Sequence, residues 1–226
     1  MEWTDQGIVL GVRRHGESSS VVQLLTQSHG RHVGLVRGAT SRSIRGLLQP
    51  GNSVRATWRA RLPEHLGTFT FEPGAGRMVS LESDAAALEA LTSLCTIAMQ
   101  ALPEREPHAS VYEGLELLIS HFDDQDVWVP LLVRWRLGLL QELGFALDLT
   151  RCAVTGSREN LTHVSPRSGR AVSREEAAPY EARLLRLPPF LLGSQEHATR
   201  TCLEDGFRLT GHFLNSWVFG PHGLNL

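Results

Sequence analysis

The sequence contains no lysine, so all 22 of its Lys/Arg residues are arginine. A P-loop of the form G-x-x-x-x-G-K-[ST] is therefore impossible, which excludes a Walker-type ATPase. The same absence excludes Schiff-base chemistry, a ligase-type lysine nucleophile and Ser–Lys dyads. Every permanently charged cationic side chain is instead a planar guanidinium. A GC-rich coding bias explains this composition as readily as a functional need does.

Cysteine is also scarce, because Cys95, Cys152 and Cys202 are the only three. Their odd number and wide spacing exclude a disulfide framework and any Cys-x-x-Cys ligand pair. Such sparse, unpaired cysteines are typical of proteins in a reducing cytoplasm. No window has the roughly 18 uninterrupted apolar residues of a membrane span. The first residues lack a basic region ahead of an apolar run, so we expect no signal peptide. The composition predicts a cytoplasmic protein that makes no membrane contact.

Charge is distributed unevenly along a chain whose formal net charge is only −2. Residues 1–80 carry ten arginines against five acidic residues (net +5), residues 81–150 three against twelve (net −9), and residues 151–226 nine against seven (net +2). A basic first segment favours contact with a polyanion. A solvated surface of uneven charge is the alternative, and charge alone does not decide between the two.

The first eighty residues have the pattern of a small β-barrel. Short runs of β-type residues are separated by turn-forming Gly, Pro and Asn residues. The runs are Gly7–Val12, Ser20–Thr26, His32–Arg37, Ser53–Arg61 and Thr68–Glu72, with a possible extension at Met78–Leu81. Five short strands in about eighty residues predict a closed barrel of the OB type.

The fourth run separates its charged and apolar side chains. Because side chains alternate along a strand, arginines fall on one face and apolar residues on the other. The first set is Arg55, Thr57, Arg59 and Arg61; the second is Val54, Ala56, Trp58 and Ala60. We expect Trp58 in the core. Phe69 and Phe71 are then the remaining nearby aromatics, so the pattern offers little support for base stacking.

A basic segment, residues 37–46, lies between the third and fourth runs. It is rich in small and hydroxyl residues and has no apolar period, which predicts an exposed loop. Its arginines are candidates for phosphate contacts, with Ser41 and Ser43 as further donors. A mobile, solubilising linker is the alternative. The predicted DNA-binding residues are Arg13, Arg14, Arg31, Arg37, Arg42, Arg45, Arg55 and Arg59.

From Asp84 onwards the apolar spacing changes to that of amphipathic helices. The first helical stripe consists of Leu88, Leu91, Leu94, Cys95, Ala98 and Leu102. Further helices are predicted over Val111–Phe122, Leu131–Leu143 and Leu203–Trp217, and a capping box at Ser173–Glu176 opens a short one. We therefore predict an α+β chain: an OB domain over residues 1–80, then an all-helical domain over residues 81–226 with a loop insert over residues 148–185.

Signatures of catalysis are missing. No G-x-S-x-G, H-E-x-x-H or G-x-G-x-x-G motif occurs. His29 and His32 have no further ligand at a suitable spacing, so we expect neither a metal site nor a catalytic centre there. Three alternatives to DNA binding stay open: an RNA-binding OB protein in translation or RNA processing, a histidine-dependent hydrolase, and a pure scaffold.

Three groups of motifs carry a family resemblance. The first is Gly7-Ile8-Val9-Leu10, His15-Gly16-Glu17, Leu24-Leu25-Thr26, His29-Gly30-Arg31 and Val36-Arg37-Gly38. The second is Leu143-Gly144-Phe145, Cys152-Ala153-Val154-Thr155-Gly156 and the stretch Ser165–Val172. The third is Leu187-Pro188-Pro189-Phe190 and Leu209-Thr210-Gly211-His212-Phe213-Leu214. In this order the motifs span nearly the whole chain and resemble the RecO family of bacterial recombination mediators.

The resemblance implies an N-terminal OB domain, a helical domain and a function in recombinational DNA repair. It also implies binding to single- and double-stranded DNA, annealing of complementary strands and cooperation with a RecR partner. Such proteins help to load RecA onto strands coated by single-strand binding protein, whose acidic C-terminal tail they recognise. The implied location is the cytoplasm, at the nucleoid during repair. No enzymatic step and no cofactor are implied.

The sequence departs from the family pattern where many members hold zinc with four cysteines. Only Cys152 remains of the four, Thr155 takes the second position, and no cysteine follows Gly169. One thiolate cannot form a tetrahedral site. We therefore predict a zinc-free loop.

Recognition of the acidic tail requires an apolar pocket with arginines at its rim. Arg134 and Arg136 are two of only three arginines in the acidic middle segment, and they flank Trp135. These three residues are the predicted tail site. In the alternative, Trp135 is buried and both arginines pair with acids such as Asp126 or Glu142.

Overall fold

The alternating runs of the first eighty residues form five strands in the computed structural model, which describes residues 1–74, 84–193 and 198–224. The strands are β1 (Glu2–His15), β2 (Ser19–Thr26), β3 (Gly30–Val36), β4 (Ser53–Arg59) and β5 (Thr68–Pro73). They close into a barrel in the order β1-β2-β3-β5-β4. The predicted barrel is confirmed, while the possible extension at Met78–Leu81 falls outside the described residues.

The length of β1 allows the barrel to close. Its first half pairs antiparallel with β4, from Glu2 opposite Arg59 to Ile8 opposite Ser53. Its second half pairs with β2 as far as His15 opposite Ser19, with an irregularity between Val9 and Gly11. A short parallel pairing of β3 with β5 completes the circle. The predicted first run, Gly7–Val12, covers less than half of this strand.

The interior of the barrel receives the apolar face of each strand. Val54, Ala56 and Trp58 of β4 are buried, whereas Arg55 and Arg59 are exposed, so the predicted division of β4 is confirmed. The core also includes Val9, Val22, Leu24, Val36, Phe69 and Phe71. The loop prediction for residues 37–46 is wrong in its second half, because Arg42–Leu47 forms helix α1. Leu47 is buried, and the Asn52 Nδ2 amide donates to the Gly46 carbonyl at 2.9 Å.

Two helices follow the barrel, α2 (Ala85–Ala101) and α3 (Ala109–Ser120). Asp84 is the N-cap of α2, and its carboxylate accepts a hydrogen bond from the Ala87 amide. Most of the predicted α2 stripe is buried, including Cys95, but Leu88 is 52% exposed and lies outside it. Contacts divide the chain into two units, Met1–Asp123 and Asp124–Leu226, and place both helices with the barrel. The domain boundary at residue 80 stays a prediction.

The second unit contains α4 (Gln125–Glu142), α5 (Arg174–Ala177) and α6 (Arg200–Phe213), the last continuing into a π-helical turn, Leu214–Phe219. It also contains a three-stranded sheet in the order β7-β6-β8, formed by β6 (Leu161–Val164), β7 (Ala171–Ser173) and β8 (Leu185–Arg186). The α+β fold class is confirmed, but the expectation that the domain after the barrel is all-helical with a loop insert is corrected by this sheet. Strands of two to four residues are too short to show an alternation in sequence.

The capping box at Ser173 is corrected as well. Helix α5 begins at Arg174, but the Ser173 side chain makes no capping hydrogen bond. Its hydroxyl lies 3.5 Å from the Cys152 thiol instead. Among the described residues, no helix is long and apolar enough to cross a membrane.

Candidate nucleic-acid interface

The eight predicted DNA-binding arginines lie in three different environments. Five are exposed and carry no ion pair, two are exposed but paired with carboxylates, and one is tied to interior partners. The five unpaired residues are Arg13, Arg14, Arg37, Arg42 and Arg45. Within the described part of the chain, none of these five guanidinium groups makes a hydrogen bond or a salt bridge.

The five unpaired arginines lie at one end of the barrel. Arg14 of β1 is opposite Ser20 of β2, and Ser20 is opposite Val36, the last residue of β3. Arg37 follows Val36 directly, so three adjacent strands bring these arginines to the same end. Arg42 and Arg45 follow on α1 at a spacing of three, which places them on one side of that helix. We call these five residues the arginine end.

Acidic residues are sparse in the stretch of sequence that carries the arginine end. Between Asp5 and Glu64, the sequence contains a single carboxylate, Glu17, in the turn between β1 and β2. Exposed guanidinium groups without carboxylate partners are free to form bidentate contacts with phosphate oxygens. This end of the barrel therefore has the electrostatic character of a polyanion site.

The arginine ladder of β4 is neutralised by its neighbouring strands. Arg55 Nη1 lies 3.9 Å from Glu72 Oε2 of β5, and Arg59 Nη2 lies 2.8 Å from Glu2 Oε1 of β1. Both are cross-strand pairs at registered positions. The hydrogen bond with Glu2 raises the pKa of Arg59. A phosphate at either arginine would therefore compete with a carboxylate, although both side chains are exposed.

Arg31 is tied to the segment that follows α2. Its Nε donates to the Leu102 carbonyl at 2.8 Å, and its Nη1 donates to Gln23 Oε1 at 3.0 Å, with 14% of the side chain exposed. The adjacent Gly30 has φ +68°, and a Cβ there would lie 1.9 Å from the Glu106 carbonyl oxygen. Only glycine allows this segment to approach so closely. Arg31 thus holds this segment against the barrel, and its contact with DNA stays a prediction.

An aromatic cluster that the sequence pattern did not reveal lies toward the other end of the barrel. The three aromatic residues considered from the sequence are all buried: Trp58, Phe69 and Phe71. Trp3 lies on Trp58 with ring centroids 5.8 Å apart, and His29 lies on Trp3 at 4.2 Å with planes 8° apart. The three rings form a column from the core to the surface. The sequence gives only a weak signal for this column, because Trp3 lies in a polar run and His29 lies in a turn.

A carboxylate fixes the outermost ring of this column. Asp5 Oδ2 accepts from His29 Nδ1 at 2.9 Å and from the Ser28 amide at 2.7 Å. Asp5 Oδ1 accepts from the Gln6 amide at 2.9 Å. Asp5 itself is 8% exposed, while 36% of the His29 side chain stays exposed. The imidazole is therefore held in one orientation at the surface.

His32 fills the interior beside the column. Its ring centroid lies 4.8 Å from that of Trp58 and 5.0 Å from that of Trp3, and both contacts are edge-on. Neither ring nitrogen makes a hydrogen bond of normal geometry with a described residue. Burial above all lowers the pKa of His32 to about 4; the charges of Arg105 and His29 add to this, and a backbone contact with His29 opposes it.

The three residues of the predicted tail site do not form an open groove. Trp135 is buried at 6% exposure. The Arg136 guanidinium lies 5.1 Å from the Phe207 ring centroid, and burial lowers its pKa. Arg134 is the exposed member, although its Nη2 donates to the Phe190 carbonyl at 3.0 Å. The tail site stays a prediction, and Arg134 is the most exposed side chain of the three.

The segment around Cys152 is held by hydrogen bonds. The Cys152 amide donates to the Ser157 carbonyl at 2.7 Å, and the Ser173 amide donates to Cys152 Sγ at 3.3 Å. Burial raises the pKa of this thiol, but hydrogen bonds from Thr155 and Ser173 outweigh it and lower the pKa to about 6. In the described ranges, no three His, Cys, Asp or Glu side chains are grouped to hold a metal ion. These residues do not fit a tetrahedral zinc site.

Comparison with known proteins covers both parts of the chain. Residues 1–73 match the family described as Recombination protein O N terminal, and residues 82–223 match Recombination protein O C terminal. The DNA repair protein RecO of Sinorhizobium medicae is 48% identical over 228 residues, covering 100% of this chain and 90% of that protein. The DNA repair protein RecO of Bradyrhizobium diazoefficiens is 52% identical over 225 residues, covering 99% and 90%.

Proposed function

The chain belongs to the RecO family, and from this premise we propose that it binds DNA through the arginine end of its barrel during recombinational DNA repair. The observation that carries the proposal is the set of five exposed, unpaired arginines at one end of an OB-type barrel. Phosphate contacts supply most of the affinity of a sequence-independent DNA-binding protein, and they need cations free of other partners.

The finer parts of the proposal follow from the family. We propose that the protein anneals complementary strands and works with a RecR partner to help load RecA onto strands coated by single-strand binding protein. It would recognise the acidic tail of that protein and act at the nucleoid. Each of these activities is binding and rearrangement of strands, so the proposal requires no catalytic residue and no cofactor.

The experiment compares two double variants that remove the same amount of charge. Arg42→Gln with Arg45→Gln removes two unpaired arginines, whereas Arg55→Gln with Arg59→Gln removes two arginines already paired with carboxylates. The affinity for a single-stranded oligonucleotide is measured across a series of salt concentrations. Each lost phosphate contact on a single strand should reduce the slope of log K against log salt by about 0.7.

We expect the first double variant to lose about 1.4 from the slope and the second to keep nearly the wild-type slope. Equal slopes for the two variants, or a larger loss in the second, would refute the arginine end as the DNA site. Competition between DNA and RNA strands of the same sequence tests the RNA-binding alternative. A preference for RNA would favour that function, because recognition of the 2′-hydroxyl distinguishes the two.

A further inference from the structure

The aromatic column ends at His29, whose side chain keeps 36% of its surface exposed. Trp58 is buried and Trp3 is half-buried, and their ring planes are inclined by 20°. His29 then lies flat on Trp3, with the planes only 8° apart. One face of the imidazole thus lies on Trp3 and its Nδ1 edge lies on Asp5. Because 36% of the side chain stays exposed, we assign this exposure to the ring face that points away from Trp3.

The outer ring is pre-organised. The Asp5 carboxylate that holds His29 is itself held by backbone amides of Gln6 and Ser28. Trp58 is fixed from below because its Nε1 donates to the Leu66 carbonyl at 3.1 Å. A ligand that stacks on His29 therefore does not have to order the ring, and this lowers the entropic penalty of binding.

We propose that the outer face of His29 is a stacking platform for one unpaired base of single-stranded DNA, a site that extends the Trp58–Trp3–His29 column by one ring. Aromatic and histidine rings stack on any base, because every base has a π-face. The inference rests on the proposed function, since DNA is the ligand that brings bases to this barrel.

The platform and the arginine end lie at opposite ends of β3. His29 precedes β3 and Arg37 follows it, so they are eight residues of extended chain apart, or about 26 Å. A single strand contacting both would span the barrel, in keeping with the roughly 4–16 nucleotides that an OB fold covers. In this arrangement the arginines bind phosphates, and His29 binds a base.

The test uses two substitutions of His29 with opposite properties. His29→Phe keeps a flat ring on Trp3 but removes the donor to Asp5. His29→Asn removes the ring but keeps a side-chain amide that can donate to Asp5. Affinity is measured for a single-stranded oligonucleotide and for an abasic oligonucleotide of the same length, with thermal unfolding as a check on folding.

If His29 stacks a base, His29→Asn should weaken binding of the base-carrying strand at least about fivefold and leave the abasic strand unaffected. His29→Phe should bind both strands as the wild type does, and neither variant should change the salt slope. If His29 only anchors its turn through Asp5, His29→Phe should weaken binding and His29→Asn should not. That result would refute the platform. Equal binding by both variants refutes it too, while a wild-type chain that binds no oligonucleotide refutes the proposed function itself.

Discussion

Protonation of His32 should destabilise the barrel in mild acid. The residue is 4% exposed, is surrounded by the rings of Trp3, Trp58 and Phe69, and has no good hydrogen-bond partner among the described residues. A charge there is neither solvated nor paired. For these reasons the pKa of His32 lies near 4 in the folded chain.

The size and sign of the effect follow from proton linkage. In the unfolded chain, His32 titrates at about 6.5. Between pH 6.5 and 4, the unfolded state therefore binds a proton that the folded state does not, so the stability falls as the pH falls. A displacement of about 2.5 pH units corresponds to about 3 kcal/mol, with about 2 kcal/mol already lost at pH 5. Above pH 6.5 the contribution is complete.

The assay follows the barrel rather than the whole chain. Amide hydrogen exchange of β3, measured by mass spectrometry between pH 4.5 and 7.5 and corrected for intrinsic exchange rates, gives the opening free energy of this strand. His32→Phe removes the titrating group but keeps a ring in the aromatic cluster, so the dependence on pH should flatten. His15→Asn, at an exposed position of β1, is the control and should leave the dependence unchanged.

An unchanged pH dependence in His32→Phe would refute the reasoning. If that variant does not fold, titration of the His32 ring proton by NMR in the wild-type protein decides the matter. A midpoint near 6.5 would show that the ring is solvated or paired and that burial does not control it.

Two further predictions concern the second unit. The purified protein should contain no stoichiometric zinc by elemental analysis after chelator-free purification, because Cys152 has no thiolate partner; one zinc per chain would contradict this. Arg134→Glu should weaken binding of an acidic tail peptide severalfold in a fluorescence anisotropy titration, because it puts a negative charge at the exposed member of the predicted site, while annealing of bare DNA stays near the wild-type rate. Equal peptide affinity in variant and parent would place the tail site elsewhere.

The barrel could be predicted because its signals are local. Alternation within β4 separates Trp58 from Arg55 and Arg59, and glycine and proline mark the turns between strands. The first half of β1 was missed because its residues are mostly polar. That half is paired with β4 and carries Trp3, but the residues Glu2–Gln6 taken alone do not indicate a partner strand that lies 57 residues away at Glu2.

The missed elements of the second unit have a similar cause. Strands β6, β7 and β8 are two to four residues long, and each is defined by its pairing with another. The hydrogen bonds of Cys152 with Ser173 likewise join residues 21 positions apart. A local pattern predicts a helix that buries one face, but it does not predict a small sheet formed by tertiary contacts.

The candidate site shows why the net charge of a segment does not locate a binding surface. Counting charges gives residues 1–80 a net +5, as if all their arginines contributed equally. Pairing decides otherwise, because Arg59 meets Glu2 from 57 residues away and Arg55 meets Glu72. Those pairs place a carboxylate beside each of these two arginines and leave the unpaired cations at the arginine end. The positive potential at this end of the barrel is therefore more concentrated than the average charge implies, and the strand register, not the composition, determines where it lies.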